Sequence, residues 1–136
     1  MRKQLSDEEK HAYAAGIVDG EGTIAIIRQT DNRYNCRTNY NIRISVGSTD
    51  ECLIQWLQIQ FGGNIRHRKA KKENHKPLSE WYITGEPVGN IIEKLYPYLL
   101  IKLAQARVVL SFIHRIQPDM EENFFKEMAT LNKRGI

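Results

Sequence analysis

Small, apolar and polar residues alternate along this chain with two distinct periods, and the switch between them marks out the elements. From Ser6 the period is helical. Ser6 and Glu9 have the spacing of a capping box, which predicts a helix over 7–20. Ala12, Gly16 and Gly20 then recur every fourth residue on one helical face. At Thr23 the period shortens to two, predicting a strand over 23–29 with Ile24 and Ile26 inward and Thr23, Ala25, Ile27 and Gln29 outward. Arg28 falls on the inward side unless a bulge or the strand's end frees it. A polar turn over 30–35 contains Asp31-Asn32.

The clearest alternation runs from Arg37 to Val46. Tyr40, Ile42, Ile44 and Val46 point one way, and Asn39, Asn41, Arg43 and Ser45 the other, with Arg37 continuing the polar set. Ser48 and Glu51 repeat the capping-box spacing and predict a second helix to about Gln60, stopped by Gly62-Gly63. A third strand is predicted over 64–69, with Arg66 and Arg68 projecting to one side. After a basic loop over 69–77 comes a fourth strand over 80–84, with Trp81 and Ile83 on the core side. Pro87 opens a helix to about Leu95, Pro97 breaks it, and a further helix is expected over 101–116. Past Gln117-Pro118 a short amphipathic tail helix holds Phe124, Phe125 and Met128. The order αββαββα plus a C-terminal helix is that of an α+β domain with a four-stranded antiparallel sheet backed by helices. One domain over 1–136 is expected, with its core at 8–116 and a helical tail at 117–136.

Composition narrows the chemistry. With 136 residues and 41% hydrophobic content the chain can bury an adequate core. It has no run of about 18 apolar residues for a membrane helix, and its first residues lack the apolar stretch of a signal peptide. Cys36 and Cys52 are too few and too isolated for a zinc site. Net charge is only +4, but residues 28–76 hold ten Lys or Arg against four acids, while the remainder is net negative. That asymmetry points to a polyanion-binding face.

The outward face of the second strand sharpens this reading, because Asn and Arg make bidentate contacts to adenine and guanine in the major groove. Candidates for nucleic-acid contact are Gln29, Arg28, Arg37, Asn39, Asn41, Arg43, Ser45, Arg66, Arg68, Glu80, Tyr82 and Thr84. Glu80 could accept from a cytosine amino group or pair with an arginine. His67 and His75 are read as facing phosphate or solvent, and Trp56, Trp81 and Tyr40 as core. Glycine inside a helix costs about 1 kcal/mol against alanine, so Gly16 and Gly20 on one stripe call for close approach of another backbone. The charges at Asp7, Glu8, Glu9, Lys10, Asp19 and Glu21 exclude a membrane for that approach.

The stretch Ala14-Ala15-Gly16-Ile17-Val18-Asp19-Gly20-Glu21-Gly22 resembles the signature motif of the LAGLIDADG homing endonucleases. Ala14 replaces the family's Leu, Ile17 and Val18 are conservative, and Gly20-Glu21-Gly22 fits a common variant ending. Pro97-Tyr98-Leu99-Leu100-Ile101-Lys102-Leu103-Ala104-Gln105-Ala106 is similar to the family's Pro-aromatic-Leu-x-x-Lys-x-x-Gln-Ala segment. The resemblance spans about residues 8–116.

One motif copy is present, and single-copy members of the family are homodimers whose motif helices pack together. The resemblance therefore implies a seam of Ala12, Gly16 and Gly20, a DNA-binding saddle made of two sheets, and Mg²⁺ held by Glu21 of each subunit with the Gly20 carbonyl. Hard oxygen ligands suit that ion. The implied reaction is hydrolysis of both strands of a long pseudo-palindromic DNA site. Lys102 would offset charge at the attacked phosphate, and Ser48 falls where a water-organising Gln is frequent. Cys52 stands where a basic residue occurs in relatives. Asp19 is expected to have a structural role near the helix end instead of binding metal. Two further functions stay open on the same fold: an intron-encoded maturase acting on host intron RNA, and a DNA-binding regulator without nuclease activity. An intracellular location, in a prokaryotic cytoplasm or an organelle, is expected.

Overall fold

Three isoleucines lie side by side across neighbouring strands, and this row fixes which face of the sheet is dry. The computed structural model describes residues 2–31, 37–69, 73 and 76–133. Most of the polar turn, much of the basic loop, Cys36 and His75 lie outside the described residues, as does the side chain of Arg37. In chain order the elements are α1 (Asp7–Glu21), β1 (Gly22–Asp31), β2 (Arg37–Ser48), α2 (Glu51–Phe61), β3 (Asn64–Arg68), β4 (Leu78–Thr84), α3 (Glu86–Leu95), α4 (Leu103–Ile113) and α5 (Glu121–Lys133). Short 3₁₀ turns at Tyr96–Tyr98 and Pro118–Met120 punctuate the last three helices. The sheet order is β1-β2-β4-β3, and every neighbouring pair is antiparallel.

Register places Ile24 of β1 opposite Ile44 of β2, and Ile44 opposite Ile83 of β4. These three, with Ile26, Ile42, Val46 and Trp81, are buried. A slip of one residue would turn the whole set to water, so burial of this face locks the register. The helices cover the same face. They contribute Ala14, Ala15 and Val18 from α1, Ile54 and Leu57 from α2, and Ile91, Ile92 and Leu95 from α3. Val109 and Phe112 follow from α4 and Met128 from α5. Each large aliphatic side chain in that layer contributes roughly 1.5–3 kcal/mol through removal from water. The tail is tied down by polar contact as well, since Asn132 Nδ2 donates to the Ile24 carbonyl at 3.0 Å.

The first capping box forms as the sequence predicts. Glu9 N donates to Ser6 Oγ at 3.2 Å, and Ser6 N donates to Glu9 Oε1 at 3.0 Å. Hydrogen bonds from the Lys3 ammonium first, then from Ser6, hold the Glu9 carboxyl down at about 2, against an ordinary value of 4.5.

The second box is not formed, which corrects the expectation at Ser48. Strand β2 runs on to Ser48, paired with Ser79, so the helix starts later and Asp50 caps it. The Asp50 carboxylate accepts from Cys52 N at 3.0 Å and Leu53 N at 3.3 Å. Ser48 Oγ instead accepts from Asp50 N at 3.0 Å, and Glu51 is freed to accept from the buried Ser79 hydroxyl at 2.8 Å. Helix α4 begins at Leu103 and ends at Ile113, inside the predicted limits of 101–116.

At the junction of α1 and β1 the chain doubles back tightly. A Cβ on Gly22 would sit 2.8 Å from Val18 Cα and 2.9 Å from the Val18 carbonyl oxygen. The constraint is steric contact with the helix backbone, since the φ of −95° suits any residue. Replacing Gly22 by Ala should lower stability by about 1–3 kcal/mol through forced backbone shifts. A denaturant midpoint equal to that of the unaltered protein would show that the junction relaxes without cost.

Candidate functional site

The face of the sheet away from the helices gathers most of the polar candidates. Cross-strand register sets Gln29 beside Asn39, Ala25 beside Arg43 and then Thr84, and Thr23 beside Ser45, Tyr82 and Asn64. Arg66 is opposite Glu80, and Arg68 is opposite Leu78. Backbone register sets Arg37 opposite Asp31 at the far end of the β1–β2 ribbon. Gln29, Asn39, Asn41, Thr84, Arg66 and Arg68 are exposed, while Arg43, Ser45 and Tyr82 are half-buried. The Asn41 side-chain oxygen accepts from Ile42 N at 3.0 Å.

Glu80 is surrounded by arginines. Its Oε1 accepts from Arg66 Nη2 in a short contact and from Arg43 Nη2 at 3.2 Å, with Arg68 Nη2 at 3.9 Å. The ring of Tyr82 lies beneath two of them, 4.8 Å from the Arg43 guanidinium carbon and 5.3 Å from that of Arg66. Of the two roles open to Glu80 in the sequence, pairing with arginine is the one it has in this structure.

Arg28 does not belong to this face. The period of two holds to the end of the strand, and Arg28 stays on the helix side opposite Tyr40. There its Nη1 pairs with Glu122 Oε1 of α5 at 2.8 Å, and its guanidinium stacks 4.5 Å from the Phe125 ring centre. The Tyr40 hydroxyl donates to the other Glu122 oxygen. That bond, with Arg28 adding to it, holds the Glu122 carboxyl below its usual range, and the same bond pushes the Tyr40 hydroxyl up. Glu122 and Phe125, three apart on one tail helix, were the sequence signal for this contact.

His67 is exposed to solvent, as expected. It sits on the helix side of β3, with Nδ1 at 3.0 Å from Ser79 Oγ and 3.2 Å from Glu51 Oε1. It therefore links β3 to α2 while most of its side chain stays open to solvent.

The second cluster lies where α1 ends. Asp19 Oδ2 accepts from Leu100 N at 2.8 Å, and Oδ1 accepts from Lys102 N at 2.9 Å. Both carboxylate oxygens are thus spent on the backbone that precedes α4, and Lys102 is the N-cap residue immediately before that helix. Glu21, the last residue of α1, is exposed and makes no ion pair or hydrogen bond with another described residue.

Among the described residues no three His, Cys, Asp or Glu side chains lie close enough together to hold a metal ion. One chain offers one carboxylate here. Beside Glu21 an open groove of about 530 Å³ runs along α1, lined by Ala12, Tyr13, Gly16, Ile17, Gly20 and Leu53. A Cβ at Gly16 or Gly20 would meet nothing within 4 Å. Nothing among the described residues therefore requires glycine at either place. Trp56, expected in the core, is half-buried and carries Tyr13 edge-on against it at 5.2 Å. Ser48 is half-buried at the end of β2, and Cys52 is an exposed free thiol. No described helix is long and apolar enough to cross a membrane.

A model of the LAGLIDADG endonuclease family matches residues 14–107, which take in the second half of α1 and the start of α4. The chain belongs to that family. It is 30% identical to the DNA endonuclease I-CvuI of Chlorella vulgaris over 131 residues, covering 96% of this chain and 80% of that protein. Similarity to the DNA endonuclease I-CreI of Chlamydomonas reinhardtii is 28% identity over 126 residues, 87% of this chain and 71% of that protein. Crystal structures of I-CvuI, one with the I-CreI target in the presence of Mg and one with its own target in the presence of Ca, superpose with a TM-score of 0.70 at 28% identity. They cover 94% of this chain and 80% of theirs. Within this LAGLIDADG chain, the two segments that carry the family resemblance are the two that Asp19 ties together.

Asp19→Asn tests that tie. An amide supplies one acceptor and sets an N–H₂ against the second backbone N–H, so stability should fall by about 1–3 kcal/mol. A thermal denaturation midpoint that does not move would show that water replaces the lost acceptor.

Proposed function

We propose that this chain is a site-specific DNA endonuclease that acts as a homodimer and needs a divalent cation, with Mg²⁺ the ion that suits it. The observation that carries this reading is Glu21, an exposed carboxylate at the end of a helix whose glycine face is open. A second copy packed along the Ala12, Gly16 and Gly20 groove would bring a second Glu21 alongside the first. Two carboxylates and the Gly20 carbonyl form a hard-oxygen donor set of the kind Mg²⁺ takes. When bound, the ion would polarise the scissile phosphate and favour ionisation of the attacking water.

The chain's own residues supply the rest. Asp19 fixes the backbone of Lys102, and the Lys102 ammonium would offset charge that builds on the phosphate oxygens. Ser48, its oxygen accepting from Asp50 N, keeps its proton to donate toward solvent. The sheet face of Gln29, Asn39, Asn41, Arg43, Ser45, Arg66, Arg68, Tyr82 and Thr84 would read base edges in the major groove. Two-fold symmetry of the protein calls for a pseudo-palindromic site. The relatives I-CvuI and I-CreI are DNA endonucleases by name, which supports the same reading.

Glu21→Gln should abolish cleavage of a selected duplex while leaving its binding within about threefold, because the change removes a charge at the metal and nothing on the sheet. Parallel loss of binding and cleavage would make Glu21 a structural residue. Gly16→Glu should convert the dimer to monomer in analytical ultracentrifugation, because two like charges would face each other across the seam. A variant that sediments as a full dimer would overturn the helix-to-helix arrangement.

A further inference from the structure

An acid in the middle of a DNA-reading face weakens attraction to phosphate, so its presence there calls for a return. The Glu80 side chain is 17% exposed and answers three guanidinium groups with one oxygen. The three are not held equally. Arg66 is in short contact, Arg43 is at 3.2 Å, and Arg68 is at 3.9 Å. Arg43 has a further deficit: its Nε is buried and has no hydrogen-bond partner among the described residues. A guanidinium left with an unpaired buried N–H gains by exchanging that position for one where its donors are met. A planar fork meets guanine O6 and N7 with two donors at once, whereas a phosphate can be met by any surface cation.

We propose that Glu80 is a positioning residue for base recognition, resting on the DNA-binding reading above. Arg66 remains on Glu80 as its neutralising partner and stacks on Tyr82. Arg43 and Arg68, held more loosely, leave the carboxylate for guanine edges of the target. The acid thereby does two things at once. It orients the forks before DNA arrives, and it lowers the affinity of the same patch for phosphate on duplexes that offer no matching guanine.

Glu80→Gln separates these effects, because it keeps the shape and removes the charge. With Ca²⁺ in place of Mg²⁺, binding of the full-length protein to a randomised duplex pool and to the duplex selected from it would be measured. The variant should bind the random pool several-fold more tightly, with guanine preference reduced about tenfold at the affected positions, the size of one bidentate contact. Glu80→Asp, which keeps the charge on a shorter arm, should restore the weak random-pool binding with partial base preference. An unchanged melting temperature in both variants is expected.

Three outcomes would overturn the proposal. Equal change in random and selected affinity would leave Glu80 as background charge. Weaker random-pool binding with a lowered melting temperature would make it a structural residue. Failure of the unaltered protein to retain any duplex would instead strike the DNA-binding reading itself, and this proposal with it.

Discussion

Two backbone N–H groups, those of Leu100 and Lys102, end on the two oxygens of Asp19, and much of the molecule's organisation is referred to that junction. The end of α1 and the start of α4 are about 80 residues apart in the chain. Without a shared acceptor, the loop after Pro97 would have to find its own partner for the half-buried Lys102 N–H, a kind of group that seldom goes unpaired. With Asp19 in place, the free acid Glu21 and the amine of Lys102 are anchored to one point. The same junction explains why α4 starts later than the apolar pattern indicates, since Leu100 and Lys102 are held as its lead-in.

The sheet separates two electrostatic jobs that composition alone merges. On the helix side, Arg28 is committed to Glu122, Tyr40 and Phe125, and so serves to dock the tail. On the open side, arginines gather around Glu80 and Tyr82. A count of basic residues over 28–76 treats these arginines alike. Strand period and pairing distinguish them, and the distinction changes which cations are free to meet a polyanion.

Period-two and period-four patterns carried the fold. Ile42, Ile44 and Val46 against Asn39, Asn41 and Arg43 made the second strand and its two faces legible, and Ser6 with Glu9 made the first helix start legible. The motif residues from Ala14 to Gly22 brought out the family. What stayed hidden was chosen by contacts distant in the chain. Ser48 and Asp50 both have cap chemistry, and the choice between them was made by β4, whose Ser79 prolongs β2. Arg28 had an inward position that looked awkward until a tail acid 94 residues away was placed beside it. Glu51, Ser79 and His67 form a small polar bridge for which no local pattern exists. Gly22 was legible as the end of the motif but not as a steric necessity, because the atom that excludes a larger residue belongs to Val18 of the preceding helix.

That contact at Gly22 sets a mechanical property of the assembly proposed above. No side chain cushions the turn from α1 into β1, so the helix axis and the first strand move as one body. In a homodimer joined along α1, the tilt between the two sheets is then set by backbone contact at two glycines. The distance between the halves of the DNA site follows from that tilt. A residue that touches neither DNA nor metal would thus act as the ruler for half-site spacing.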